Sequence, residues 1–400
     1  MKITNVEVIP LRMPPAEPRP WWVTTPFSHF TTAQNLRAAT PSPRPDVANA
    51  LVVRIETDAG LTGLGNVGVG APAVQPIVEH HLAPILLGAD PFAVELLWET
   101  MFRATLNFGR KGAAVEAISG VDIALWDLMG QATNQPVYNL LGGKTRDTIR
   151  CYASQLYATT DLDALAQEAA AYAAQGFTAM KQRIGYGPAD GPAGMRKNLE
   201  LIKTVRDTIG PDVDLAADAY MGWTVPYAVR MIRQIEDAGL NLAWLEEPVL
   251  PDQIDGYAEI AAAVDTPISG GEHEFTRYGF HELIDRGAVD VVQLDVNRVG
   301  GISEARKIWA MAAGANLPVL PHAGQLHNYH LIMAHLNSPI AEFFPLLDPP
   351  DGNTLFWHVF AGEPTPENGY LTLDRRPGLG LSLNEEFVAR YRIEAIGDRR

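Results

Sequence analysis

From residue 147 to residue 344 the chain repeats one unit, a short apolar run followed by an amphipathic segment, and that period leaves few folds open. The apolar runs fall at residues 149–153, 178–183, 214–219, 242–246, 267–272, 291–296, 317–322 and 340–344. Helical patterns lie between them, such as LDALAQEAAAYAAQ, RKNLELIKTVRDTI, VPYAVRMIRQIEDA and ISEARKIWAMAAGA. Eight runs alternating with helices describe a parallel β/α barrel better than an open sheet, although one helical return, residues 327–336, is short. No glycine-rich phosphate loop opens any of these helices, which argues against a nucleotide-binding open sheet.

The N-terminal part has a different texture. Residues 3–12 and 50–57 alternate apolar and polar, and Asp58-Ala59-Gly60 supplies a hairpin turn into a return strand at 61–67, so an antiparallel sheet is expected. Between them, residues 14–45 are rich in Pro, Thr and aromatics without periodicity, as in a lid or binding loop. From residue 74 to 142 the spacing turns helical. The expected fold is therefore α/β: a (β/α)7β-type TIM-like barrel at 141–355, with an α+β N-terminal capping domain at 1–140 completed by a C-terminal tail, 356–400, that packs back on the cap.

A formal charge of −16 argues against nucleic acid or an anionic membrane surface as partner, so an anionic substrate needs local cations. The single cysteine, Cys151, excludes an internal disulfide and suits a reducing, cytoplasmic compartment. The opening MKITNVEVIPLRMPP reads as a strand and not as a signal peptide, and no run reaches the roughly 18 apolar residues of a membrane span.

Barrel enzymes place their chemistry at the C-terminal ends of the strands. The polar residues there are Lys181 and Arg183, Asp218, Glu246, Glu272, Asp295, His322 and Glu342. Asp218, Glu246 and Glu272 are 28 and then 26 residues apart, as for neighbouring parallel strands, and three carboxylates suit a hard divalent cation such as Mg²⁺. Strand alternation lets only one of Glu246 and Glu247 face the metal, and composition does not choose between them. Asp295 and His322, on adjacent strands, permit a carboxylate to fix an imidazole tautomer. His273 is expected to point away along its strand, and His327, His330 and His335 to decorate a helix.

Together these features resemble the enolase superfamily, and within it the mandelate racemase-type subgroup. The resemblance rests on the passage SGVDIALWDLMGQATNQPVYNLLGG and on the succession KQR, DAY, EEP, GEH, the Asp295–His322 pair and Glu342. It implies one Mg²⁺ per site on Asp218, Glu246 and Glu272, the first glutamate of EEP being the inward one. It also implies an acid/base made of His322 and Asp295, with Lys181 and a protonated Glu342 as further donors to the substrate carboxylate. The loop GYGPADGPAGMRKN, the GGEHE stretch and the tail FFPLLDPPDGNTL are similar to those of acid-sugar dehydratases acting on L-rhamnonate-like aldonates. Arg183, His29 and His273 are then candidate substrate-binding residues, and self-assembly into a homo-oligomer is implied.

Position 183 separates the reactions open to such a scaffold. In racemases of the subgroup a second lysine serves as base at this position, but a guanidinium does not deprotonate. The expectation is a hydro-lyase that converts a monocarboxylic sugar acid to its 2-keto-3-deoxy product. The alternatives are a racemase or epimerase of an α-substituted carboxylate, or a non-catalytic sugar-acid-binding protein.

Overall fold

The computed structural model describes residues 1–12, 21–39, 50–68, 71–346 and 356–393. Residues 14–20 and 40–45 of the lid at 14–45, and the stretch 347–355 of the tail motif, lie outside the described residues. Strands Ile3–Leu11, Ala50–Thr57 and Thr62–Asn66 form an antiparallel sheet in that order, with Val8 opposite Val53 and Val53 opposite Gly65. The helix Ala113–Thr133 packs on the sheet and is buried from Ala114 to Gly130. Gly63 and Gly65 explain the close fit, because a Cβ at either would collide with a helix carbonyl, Ala124 O or Gly120 O.

Seven strands of the barrel follow the order Val291–Val292, Ile268–Gly270, Leu245–Glu246, Asp214–Asp218, Ala179–Arg183, Ile149–Gln155, Ala341–Phe343, all parallel. Residues 317–322, expected as a further strand, pair with the neighbouring segment through one bridge, Val292 to Val319, and the hydrogen bonds Val292 N–H to Pro318 O, Leu320 N–H to Val292 O and His322 N–H to Leu294 O. They still fill the remaining arc. The outer helices carry the predicted apolar stripe: in Val225–Asp237 the buried residues are Ala228, Met231, Ile232 and Ile235.

The barrel interior explains why a site forms at one end. Tyr152, Ala179, Ala216, Trp244, Val291, Leu320 and Ile340 form one buried apolar layer. Two residues further along each segment, on the same face, stand Ser154, Lys181, Asp218, Glu246, Gln293, His322 and Glu342. The apolar layer closes the floor and the polar layer is the ring above it. The tail does two things: Tyr370–Leu371 pairs antiparallel with the first barrel strand, and Val359, Phe360 and Val388 pack on cap-sheet residues Ile9, Leu11 and Val52. No helix among the described residues is long and apolar enough to cross a membrane.

Candidate active site

Lys181 occupies the centre of one flank. Its Nζ lies 2.8 Å from both carboxylate oxygens of Glu246, 2.8 Å from Glu342 Oε1 and 4.0 Å from Asp218 Oδ2. Although burial opposes the charge, those carboxylates hold its pKa above the ordinary lysine value, so Lys181 is a fixed cation. Arg183 donates to Asp218 and, at 3.1 Å, to Ser154 Oγ. Glu342 also accepts the Ala323 N–H at 2.8 Å. Burial raises its pKa, but Lys181 and His322 outweigh that and bring it down to about 2. The 2.8 Å approach of Lys181 thus favours the carboxylate form of Glu342 over the protonated form that the resemblance implied.

The other flank carries the imidazoles. His322 Nδ1 donates to Asp295 Oδ2 at 2.8 Å, an acceptor-only partner that fixes the tautomer, and its Nε2 stands 3.5 Å from Glu272 Oε2. Asp295 is held in turn by the Asn297 N–H at 2.7 Å and by Arg298 Nε 3.2 Å away. Burial works against the imidazolium, yet Glu272 and the Asp295 hydrogen bond push His322 up to about 9. The neutral, proton-accepting form therefore requires Glu272's charge to be engaged elsewhere.

Glu247 and His273 depart from the strand-alternation expectation. The strand ends at Glu246, and Glu247 takes a left-handed backbone, φ +41°, which turns its buried side chain to His273 Nδ1 at 2.8 Å. His273 is 3.5 Å from Glu272 as well, so it faces the site instead of pointing away. Ligand atoms of Glu247, Glu272 and His273 lie within 4.8 Å of one another. The side chains of Asp218 and Glu246 are instead engaged by Arg183 and Lys181, although the two residues are cross-strand neighbours in register.

The donor set fits a hard divalent cation. Buried Asp218, Glu246, Glu247, Glu272, Asp295 and Glu342 outnumber the permanent cations Lys181, Arg183 and Arg298, and no thiolate is present, since Cys151 lies on the first barrel strand with its thiol pushed up by burial. Burial, opposed by Lys181 and reinforced by Asp218, pushes Glu246 up to about 8. A further positive charge beside these oxygens would relieve that repulsion.

The cap closes one side. Trp21–Trp22 pairs with Ala158–Thr159, Trp22 Nε1 donates to Gly185 O at 2.8 Å, Thr24 N–H to Ile184 O at 2.7 Å, and His29 Nε2 lies 3.2 Å from Met221 O. His29 thus sits beside the loop that follows Asp218. Sequence reasoning missed Ser154, Gln293, whose Nε2 donates to Glu246 at 2.7 Å, and Arg298, which reaches Glu272 at 3.3 Å. Gln293 was recoverable as the same-face residue two before Asp295, and Arg298 as its neighbour three along a helix. His327 and His330 are buried in the helix Leu326–Ala334 and do not decorate its surface. A cavity of about 740 Å³ lies elsewhere, between Phe102, Phe108 and Tyr278, and has no comparable set of converging carboxylates.

A barrel with a carboxylate ring, an oriented imidazole and an α+β cap defines a class, and comparison with known proteins agrees. Residues 164–387 match the family model "Enolase C-terminal domain-like", and residues 42–142 match "Mandelate racemase / muconate lactonizing enzyme, N-terminal domain". The chain belongs to the enolase superfamily of enzymes, in its mandelate racemase subgroup. It is 39% identical over 349 residues, 86% of each sequence, to an L-rhamnonate dehydratase of Saccharopolyspora erythraea. Among solved structures it is similar to rhamnonate dehydratase from Gibberella zeae complexed with Mg, at 33% identity and TM-score 0.84, covering 98% of this chain and 96% of that one. It is also similar to the 3,6-anhydro-D-galactonate cycloisomerase from Zobellia galactanivorans, at 29% identity and TM-score 0.82, covering 98% and 100%.

Proposed function

We propose that the chain is a Mg²⁺-dependent hydro-lyase that dehydrates a monocarboxylic sugar acid, an L-rhamnonate-like aldonate, to its 2-keto-3-deoxy acid. The observation that carries this reading is the asymmetry of the two flanks: the oriented imidazoles, His322 on Asp295 at 2.8 Å and His273 on Glu247 at 2.8 Å, stand on one flank, whereas the other offers only Lys181 and Arg183, both locked as cations. Relatives named as L-rhamnonate dehydratases support the choice of substrate class.

Asp218, Glu246 and Glu272 would hold the ion, with Glu247 and His273 at its border. Bound there, Mg²⁺ supplies positive charge to the substrate carboxylate on which the electrons of the broken C–H bond collect. His322 Nε2 accepts the α-proton while Asp295 keeps the Nδ1 proton and stabilises the imidazolium. In a syn elimination the same imidazolium returns its proton to the departing β-hydroxyl, which leaves as water, and the resulting enol becomes the 2-keto acid. A general base is worth about 10² to 10⁴ in rate, roughly 3 to 5.5 kcal/mol, which is too little for so weak a carbon acid. Lys181 therefore matters as fixed positive charge beside the developing anion, and Arg183, His29 and His273 are the residues proposed to bind substrate hydroxyls. The enzyme is proposed to work in the cytoplasm as a homo-oligomer, a state that sedimentation reads directly.

The test is a panel of aldonic acids offered with Mg²⁺ and scored for 2-keto-3-deoxy acid. Product from a 6-deoxy or pentonic L-acid supports the reading. Turnover only of diacid sugars, or inversion without loss of water, overturns it.

A further inference from the structure

Several distant stretches of chain converge on the turn that carries His322. Ala323 stands at φ +69°, a conformation uncommon for residues with a Cβ. Glu342, from the last barrel strand, accepts the Ala323 N–H, and Asn328 Nδ2 donates to the carbonyls of His322 and Ala323 at 2.9 and 2.5 Å. Glu363, from the tail, accepts the Leu326 N–H at 3.0 Å. The last support comes from the cap sheet: Asn66 Nδ2 donates to Gln325 Oε1 at 2.7 Å, and Asn297 Nδ2 approaches the same oxygen at 3.4 Å.

Asn297 joins the two sides, since its backbone N–H holds Asp295 Oδ1 at 2.7 Å while its side chain reaches Gln325. One acceptor oxygen thus ties the strand end bearing Asp295 to the turn bearing His322, and the cap supplies its shorter bond. Asn66, Asn297 and Gln325 are all buried, so a lost bond is not replaced by bulk solvent. Without the acceptor two buried donors are left unpaired, and the left-handed turn at Ala323 loses a restraint against relaxing.

We propose that Asn66 and Gln325 are positioning residues, through which docking of the cap sets His322 against Asp295. The proposal rests on reading His322 as the acid/base of the dehydration. Neither amide touches the carboxylate cluster directly, so their effect is on the rate of turnover and not on substrate binding.

The experiment compares Gln325→Leu with Gln325→Glu, the latter keeping an acceptor oxygen for both amides. Two quantities are read with Mg²⁺ present: kcat and KM on the aldonate turned over, and the low-field proton resonance of the His322–Asp295 hydrogen bond, assigned by its disappearance in His322→Asn. Gln325→Leu is expected to lose about tenfold or more in kcat with KM held within about threefold, and to shift or broaden the resonance. Gln325→Glu is expected to recover both, and Asn66→Ala, the variant to use if Gln325→Leu does not fold, moves both in the same direction. A wild-type kcat and resonance in the Leu variant, or equal loss in Leu and Glu, overturns the proposal. The resonance needs no substrate, so a chain that dehydrates none of the aldonates offered would defeat the functional reading and leave the positioning claim to be decided by the resonance alone.

Discussion

The two flanks of the polar ring hold positive charge in opposite ways. On the flank of Ala179–Arg183, Lys181 is fully buried between Glu246 and Glu342, and Arg183 is tied to Asp218 and Ser154. On the flank of Asp295 and His322, the imidazole is oriented by one carboxylate and retains 15% of its side-chain exposure. The first flank is electrostatic scaffold and the second can exchange a proton. A two-base reaction needs an exchangeable group on both faces of the substrate, so this asymmetry points to elimination and not to inversion.

The comparison is broken most severely by removing what both flanks serve. Chelation of divalent cations should abolish turnover, and Mg²⁺ should restore it; full activity after exhaustive chelation would remove the reason for so many buried carboxylates. Glu272→Gln should weaken Mg²⁺ by about 10-fold or more in calorimetry, since a charged oxygen ligand becomes a neutral amide. Replacing Glu247 by Gln should cost less if Glu247 only borders the ion, and an equal or larger cost would move it into the ligand set.

Arg183→Lys probes the scaffold flank. Asp218 should hold the new ammonium charged, so the variant should lose about 10- to 100-fold in kcat through its altered geometry and still release only the dehydrated product. Appearance of inverted substrate would show that the guanidinium alone was suppressing a second base.

The effect furthest from the site is on stability. His330 joins three parts of the chain, accepting the Tyr138 N–H at 3.1 Å and lying 3.1 Å from Leu379 O, and burial pushes it down to about 4. An unfolded chain binds this proton below about pH 6.5 while the folded chain excludes it. Stability is therefore complete above that pH and is lost as the pH falls toward 4, by up to about 3 kcal/mol for this group. Urea midpoints at pH 7 and pH 5 should show about 2 kcal/mol of that loss, and His330→Gln, weaker by about 1 to 2 kcal/mol at pH 7, should show a shallower one. Equal slopes would remove His330 as the cause.

Much of the barrel and the ring was legible because both follow from a period of two: Ala179, Lys181 and Arg183 share a face, as do Ala216 and Asp218. The rest depended on backbone that leaves that period. Glu247 and Ala323 take left-handed conformations that no propensity of Glu or Ala suggests; the first turns its carboxylate to His273, and the second follows His322 directly. The protonation of Glu342 was unreadable for another reason, since it depends on a 2.8 Å approach of Lys181 from another strand. The strand at 317–322 was overestimated because its apolar run fits the barrel wall while only part of its backbone pairs.

The single-base claim is tested most directly by following α-proton exchange of a dehydrated substrate in deuterium oxide, in the wild type and in His322→Asn. The asymmetry of the two flanks predicts that the variant loses dehydration and exchange together. Retained exchange in His322→Asn would place the base on another residue and contradict the account.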